Sequence, residues 1–167
     1  MTRTDEIDAA PFAATAAGGT MKSVFVLMCL IGFAAPVDGQ EAPAPKTLAN
    51  VAETRKLADQ AMAFVKQEKF EEAYGSVKSF WPLPAVEIDG LANQMKTQWP
   101  MVQQRFGKSL ATEFINERRV GQSFIRYTYL QKFERHAIRW TFSFYRPADG
   151  WVVNAVSWDD GVSELYE

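Results

Sequence analysis

Residues 124–145, FIRYTYLQKFERHAIRWTFSFY, decide the fold. Apolar and polar side chains alternate on both sides of Glu134-Arg135, the period-two signature of half-buried strands. If Glu134 and Arg135 form a two-residue turn, Tyr129 faces Trp140, Tyr127 faces Phe142 and Ile125 faces Phe144. The same register sets Thr128 against Thr141 and Arg126 against Ser143, polar against polar. A slip of one residue would put each aromatic opposite a polar neighbour, so the two faces fix the pairing together.

The pattern continues through the last third of the chain, Glu113 to Glu167. Leu110 to Arg118 is expected as a first strand, with Val120-Gly121 as its turn. Phe124 to Phe133 is the second, Ala137 to Tyr145 the third and Trp151 to Trp158 the fourth, after a turn at Pro147-Ala148-Asp149-Gly150.

Upstream the period changes. Leu48, Val51, Ala52, Ala58, Ala61, Met62 and Val65 recur at helical spacing, widened by Leu57 and Phe64, and predict a long amphipathic helix to about Gln67 with Glu53, Lys56 and Asp59 on its polar face. Phe70, Ala73, Tyr74 and Val77 make a second helix after a break at Glu68-Lys69. Trp81-Pro82-Leu83-Pro84 ends it, because proline lacks a donor and forces its predecessor to be extended. Ile88, Leu91, Met95 and Trp99 mark a third helix from Ala85, kinked at Pro100 and stopped by Gly107. Helices followed by a meander with one apolar face imply an α+β domain, its N-terminal helices packed on a curved antiparallel sheet of about four strands.

The N-terminal part reads differently. Met21-Lys22, the apolar run Val24 to Leu30 and its continuation through Ile31, Phe33 and Ala35 have the build of a secretory signal peptide over residues 21–39. Val37 and Gly39 suit a cut before Gln40; cuts after Ala34 or Ala35 fit as well. The run falls short of the roughly 20 apolar residues that span a bilayer. Met28 is too bulky for the position before a lipidated cysteine, which argues against an anchor on Cys29. Residues 1–20 fit no targeting pattern, and because Met21 opens a complete signal, translation is expected to begin there, with the preceding stretch a start-site artefact or a disordered tail. Residues 40–46 form a Pro/Ala linker and residues 47–167 a single domain. The expected location is secreted or periplasmic, with no stable membrane anchor after cleavage.

The full chain has 18 basic and 20 acidic residues; the signal and its preceding stretch hold Arg3 and Lys22 with Asp5, Glu6, Asp8 and Asp38, which leaves 16 against 16. A neutral protein has no electrostatic reason to bind nucleic acid or an anionic membrane. Cleavage also removes the only cysteine, so the mature domain is held without disulfides. No metal-ligand spacing, phosphate loop or nucleophile motif is present, and neither a cofactor nor a metal is expected.

Arg105-Phe106-Gly107-Lys108, Tyr129 to Glu134, Phe144-Tyr145-Arg146-Pro147 with Gly150-Trp151, and Trp158-Asp159-Asp160 are together similar to a group of small secreted bacterial proteins of the nuclear transport factor 2-like superfamily. The resemblance covers roughly Leu48 to Asp160 and implies a cone-shaped fold with a pocket between the sheet and the helices. Members of that superfamily include isomerases, dehydratases, ligand carriers and dimerisation modules, so it does not choose a function. In such a cone Tyr127, Tyr129, Gln131, Trp140 and Phe142 would line the pocket, with Trp81, Trp99 and Phe106 approaching from the helices. Apolar walls with a few polar groups suit a small molecule, although the same residues also read as core.

The residues offer one catalytic constellation. The last hairpin brings the start of the third strand beside the end of the fourth, so His136 and Asp159 or Asp160 share a rim where a histidine–carboxylate pair could act in general acid/base catalysis. They equally fit a solvated turn. Arg126 and Arg139 read as solvated residues of the outer face, and Lys108, Arg118, Arg119 and Glu71-Glu72 as exposed charges. The reading is a non-catalytic module that binds a small apolar or aromatic ligand against Tyr127, Tyr129, Trp140, Phe142 and Trp99, oriented by Gln131. The alternative is an isomerase or hydro-lyase using His136 and Asp160. A third reading joins two copies into a homodimer through the outer face at Arg126, Thr128, Arg139 and Thr141.

Overall fold

In the computed structural model, which describes residues 44–166, three helices precede a four-stranded antiparallel meander. The helices are α1 (Val51–Lys66), α2 (Phe70–Lys78) and α3 (Ala85–Phe106). The strands β1 (Ser109–Val120), β2 (Phe124–Phe133), β3 (Ala137–Tyr145) and β4 (Val152–Asp159) are ordered β1-β2-β3-β4, and a short 3-10 turn, Val162–Tyr166, follows. The stretch expected to be a signal peptide, the segment before it and most of the expected linker lie outside the described residues.

The β2–β3 register is the one that the alternation predicts: Tyr129 pairs with Trp140, Tyr127 with Phe142 and Ile125 with Phe144, all buried. Closure at the turn is made by Phe133 N–H donating to His136 C=O at 2.9 Å. β1 runs two residues further than expected, and Gly121 to Ser123 form its turn. Register shifts at Phe114/Asn116 in β1 and beside Ser143/Phe144 in the β3–β4 pair mark bulges, which bend and twist a sheet.

The helices cover the aromatic face. Leu57, Ala61, Met62 and Val65 of α1, Phe70 and Val77 of α2, and Ile88, Met95 and Trp99 of α3 share one core with β2 and β3. Two positions of the α1 stripe differ from the expectation. Leu48 lies before the helix and pairs with Trp151 in an isolated bridge, while Ala52 is exposed and Thr54 takes the buried place. The cause is the N-cap at Asn50, whose side chain accepts from Glu53 N–H at 3.0 Å; starting the helix there turns Thr54 inward. Gly150 allows the bridge to close, since a Cβ there would stand 2.5 Å from Thr47 Cβ.

The C-terminus of α3 is fastened by the β2–β3 turn. Arg135 donates from Nη2 to Gln104 C=O at 2.7 Å and from Nε to Arg105 C=O at 3.1 Å, and its backbone N–H reaches Phe106 C=O at 3.0 Å. Helix-end carbonyls that would lack partners are thereby satisfied. Pro100 is carried inside the helix, which runs unbroken in assignment to Phe106. Gly107 leaves it at φ 88°, where a Cβ would lie 2.4 Å from Glu134 Oε2 and 2.9 Å from Glu134 Cβ. Strain at a left-handed position costs about 1–3 kcal/mol. Gly107→Ala is therefore expected to lower unfolding free energy in urea by about that amount, and more than the exposed, unobstructed helix substitution Gly90→Ala, which should leave it equal or raised.

Candidate functional site

The structure brings the expected ligand-binding residues together as packed core. Tyr127, Tyr129, Gln131, Trp140 and Phe142 are all at most 3% exposed, and Trp99 5%. The polar atoms of the four polar strand residues are engaged by the protein itself, whereas Trp99 Nε1 is buried with no hydrogen-bond partner among the described residues. Tyr127 Oη lies 2.8 Å from Thr54 Oγ1 and donates to Val51 C=O at 3.2 Å; Tyr129 Oη donates to Asp59 Oδ1 at 2.7 Å. Gln131 accepts from Trp140 Nε1 at 3.0 Å and donates to Ser109 Oγ at 2.9 Å, so its amide is tied down at both ends. The space left against Trp140, Phe142 and Tyr74 measures about 10 Å³, less than one ordered water needs.

Roomier space lies where the aromatic stack leaves the core. Trp158 of β4 is half-buried and stacks on Trp140, ring centroids 6.3 Å apart and planes at 30°. Beyond it a groove of about 370 Å³ runs between the second half of α3 and the strand ends, walled by Met101, Val102, Phe106, Ile138 and Trp158. Met101 is 68% exposed in this wall. At the rim Arg105 meets Asp160 at 3.3 Å and its guanidinium stands 5.0 Å from the Phe106 ring centre.

Among the described residues no hydrogen bond or ion pair joins His136 to Asp159 or Asp160. The imidazole is exposed and packs edge-on against Phe106 at 4.6 Å, and it does not line this groove. Asp159 is gripped by Arg139 through Nε at 3.1 Å and Nη2 at 2.8 Å, and accepts from Gly161 N–H at 2.8 Å; Asp160 pairs with Arg105. Both carboxylates thus answer to arginines. Arg139 is also not the solvated outer-face residue that its polar setting predicts: its side chain is 15% exposed and also donates to Glu164 at 2.7 Å. The 3-10 turn that delivers Glu164 has no expected counterpart in the strand pattern. Hydrogen bonding from Asp159 holds the Arg139 pKa above its ordinary value.

Sequence reasoning missed the groove although it singled out two of its edges, Arg105-Phe106 and Trp158-Asp159-Asp160. Among the described residues no cluster of His, Cys, Asp and Glu suits a metal ion, and no helix is long and apolar enough to cross a membrane. A scan against protein-family models finds no match to this chain, and a search of curated proteins finds none.

Burial raises the pKa of Tyr74 to about 12, and burial followed by the neighbouring Asp59 carboxylate raises that of Tyr129. An unfolded tyrosine ionises near pH 10. A folded pKa above the unfolded one gives stability that is whole below about pH 10 and is lost as pH climbs toward 12. Urea melts are expected to show that fall, and Tyr74→Phe to flatten it without removing it, since Tyr129 still contributes. A slope unchanged in Tyr74→Phe would show that Tyr74 ionises as readily folded as unfolded.

Proposed function

We propose that this protein is a non-catalytic binding module for a small apolar or aromatic ligand, held in the groove between α3 and the ends of β3 and β4. The observation that carries the reading is the wall of Trp158, Ile138, Phe106, Val102 and Met101 around about 370 Å³, within the roughly 300–1,000 Å³ of ordinary small-molecule sites. Trp158 offers an aromatic face backed by Trp140, and that backing keeps the ring from collapsing into the core. The mechanism is desolvation: an apolar body displaces water from these walls, at about 25 cal/mol for each Å² covered. The concave core of Tyr127, Tyr129 and Gln131 then acts as the rigid support behind the groove.

Binding is the better reading than proton transfer because the rim acids, Asp159 and Asp160, are already paired with guanidinium groups. A carboxylate whose oxygens already accept from a guanidinium must give up that contact before it can take a proton from a substrate.

The test uses the aromatic dye ANS with the folded domain. One-to-one saturable binding with quenching of tryptophan emission is expected, and Met101→Glu, which sets a charge into an already exposed position, should weaken it by about tenfold or more, a change of about 1.4 kcal/mol. Val86→Glu serves as the control, because Val86 is 76% exposed and lies outside the groove. Equal affinity in both variants would remove the groove as the site.

A further inference from the structure

On the outer face of the sheet, Arg118 of β1 and Arg126 of β2 are direct cross-strand partners. Like charges placed opposite each other repel and weaken a sheet. Other arginines of the described residues are answered. Arg55, Arg105, Arg119 and Arg139 pair with carboxylates, Arg135 caps the carbonyls of α3, and Arg146 stands over the Trp151 ring at 5.4 Å. Among the described residues Arg118 has no ion-pair or hydrogen-bond partner, and Arg126 has only Ser143 Oγ at 3.4 Å, a long contact. Two guanidinium groups therefore share one place with no acid between them.

That place is a groove of about 390 Å³ whose lining includes Arg118, Arg126, Ser143, Asn154, Val120 and Phe124 and no acidic residue. Asn154 reaches it by a device of its own. The β3–β4 register passes from Ser143↔Ala155 to Phe144↔Val153, so Asn154 is the extra residue of a bulge, and bulges commonly re-aim a side chain beside a site. Val120 and Phe124 close β1 and β2 at one end of the groove, 73% and 39% exposed, and Phe124 is backed by Tyr145 with ring centres 4.8 Å apart. Charge, neutral donors and an apolar ledge are thus gathered in one depression.

We propose that this groove is a binding site for a small organic carboxylate. The anionic head would sit between Arg118 and Arg126, where guanidinium groups give two-pronged, charge-assisted hydrogen bonds to a carboxylate. Asn154 and Ser143 supply neutral donors at the edge, and the apolar body lies on Val120 and Phe124. The bound anion relieves the repulsion between the two arginines. This site is separate from the groove at Trp158 and stands whether or not that groove binds a ligand.

Hexanoate is the probe, followed by heteronuclear NMR titration of the domain. Saturable shifts confined to Val120, Phe124, Arg126, Ser143 and Asn154 are expected. Arg118→Gln and Arg126→Gln should each weaken the affinity about tenfold or more, the effect of losing one charge-assisted pair, and the double variant should abolish binding. Both side chains are exposed and mutually repelling, so these variants should melt at or above the parent temperature, which separates lost binding from lost folding. Hexanol tests the head: if it binds as well as hexanoate, the arginines are not the anchor and the proposal fails. Inorganic phosphate tests the tail: equal affinity for phosphate and hexanoate would reduce the site to a bare anion contact and overturn the carboxylate with an apolar body. Met101→Glu in the other groove should leave the titration unchanged, and unaltered hexanoate binding in the double arginine variant would end the proposal.

Discussion

The hydroxyl groups of Tyr127 and Tyr129 stand on a mainly apolar sheet face, and covering that face with helices requires a partner for each. An unpaired buried hydroxyl costs about 1–3 kcal/mol, comparable with the burial of a whole side chain. α1 supplies both partners from one edge: Thr54 Oγ1 with the Val51 carbonyl for Tyr127, and Asp59 for Tyr129. Arg55 completes the edge by bonding both oxygens of Asp59 at 3.0 Å and laying its guanidinium 3.5 Å from the Phe114 ring centre. This polar seam fixes the rotation of α1 about its own axis and its register along β2. Apolar packing alone tolerates sliding, whereas a hydrogen bond does not.

From that seam the remaining helices follow. α2 doubles back through the left-handed Glu68, φ 60°, and sets Phe70 edge-on to Trp99 at 4.5 Å, which seats α3 against the same core. Trp99 then meets Phe133 at 5.6 Å, and Phe133 meets Phe106 at 6.0 Å. Arg135 closes the circuit by capping α3 from the β2–β3 turn. The end of α3 is therefore held to the sheet by its terminus, and the groove opens along the stretch before it.

The β2–β3 hairpin was fully legible in the sequence because a strand's side-chain period is two and both faces had to agree, which sets Tyr129 opposite Trp140. The span of α3 was nearly as clear, since Pro84 and Gly107 bound it, whereas the start of α1 was not, because Leu48 reads as part of its stripe and lies before the Asn50 cap. The seam was not legible. Asp59 looks like any member of a solvated helix face, and Thr54 looks like a weak helix former. Only the placement of tyrosine hydroxyls across the core gives either residue its role. Arg139 misled in the same way: in a strand of alternating residues it reads as solvated, and its burial depends on Asp159 from β4 and Glu164 from a turn with no periodic signal. Aromatic content likewise announced a pocket and a core in the same letters, and packing had to distinguish them.

The division between core and groove rests on one change along the aromatic row. From Phe114 through Tyr129 and Phe142 the rings meet edge to face, at angles of 67° and 85°. Edge-to-face contact sets the positive rim of one ring on the negative face of the next and locks the rings together. Between Trp140 and Trp158 the angle drops to 30°. Trp158 thus stacks on Trp140 with one face and also lines the groove. Around that face Arg105 pairs with Asp160, and Arg139 is shared by Asp159 and Glu164. What the groove at Trp158 offers is shape and part-exposed aromatic surface, and the ligand proposed for it would bring a flat apolar face of its own.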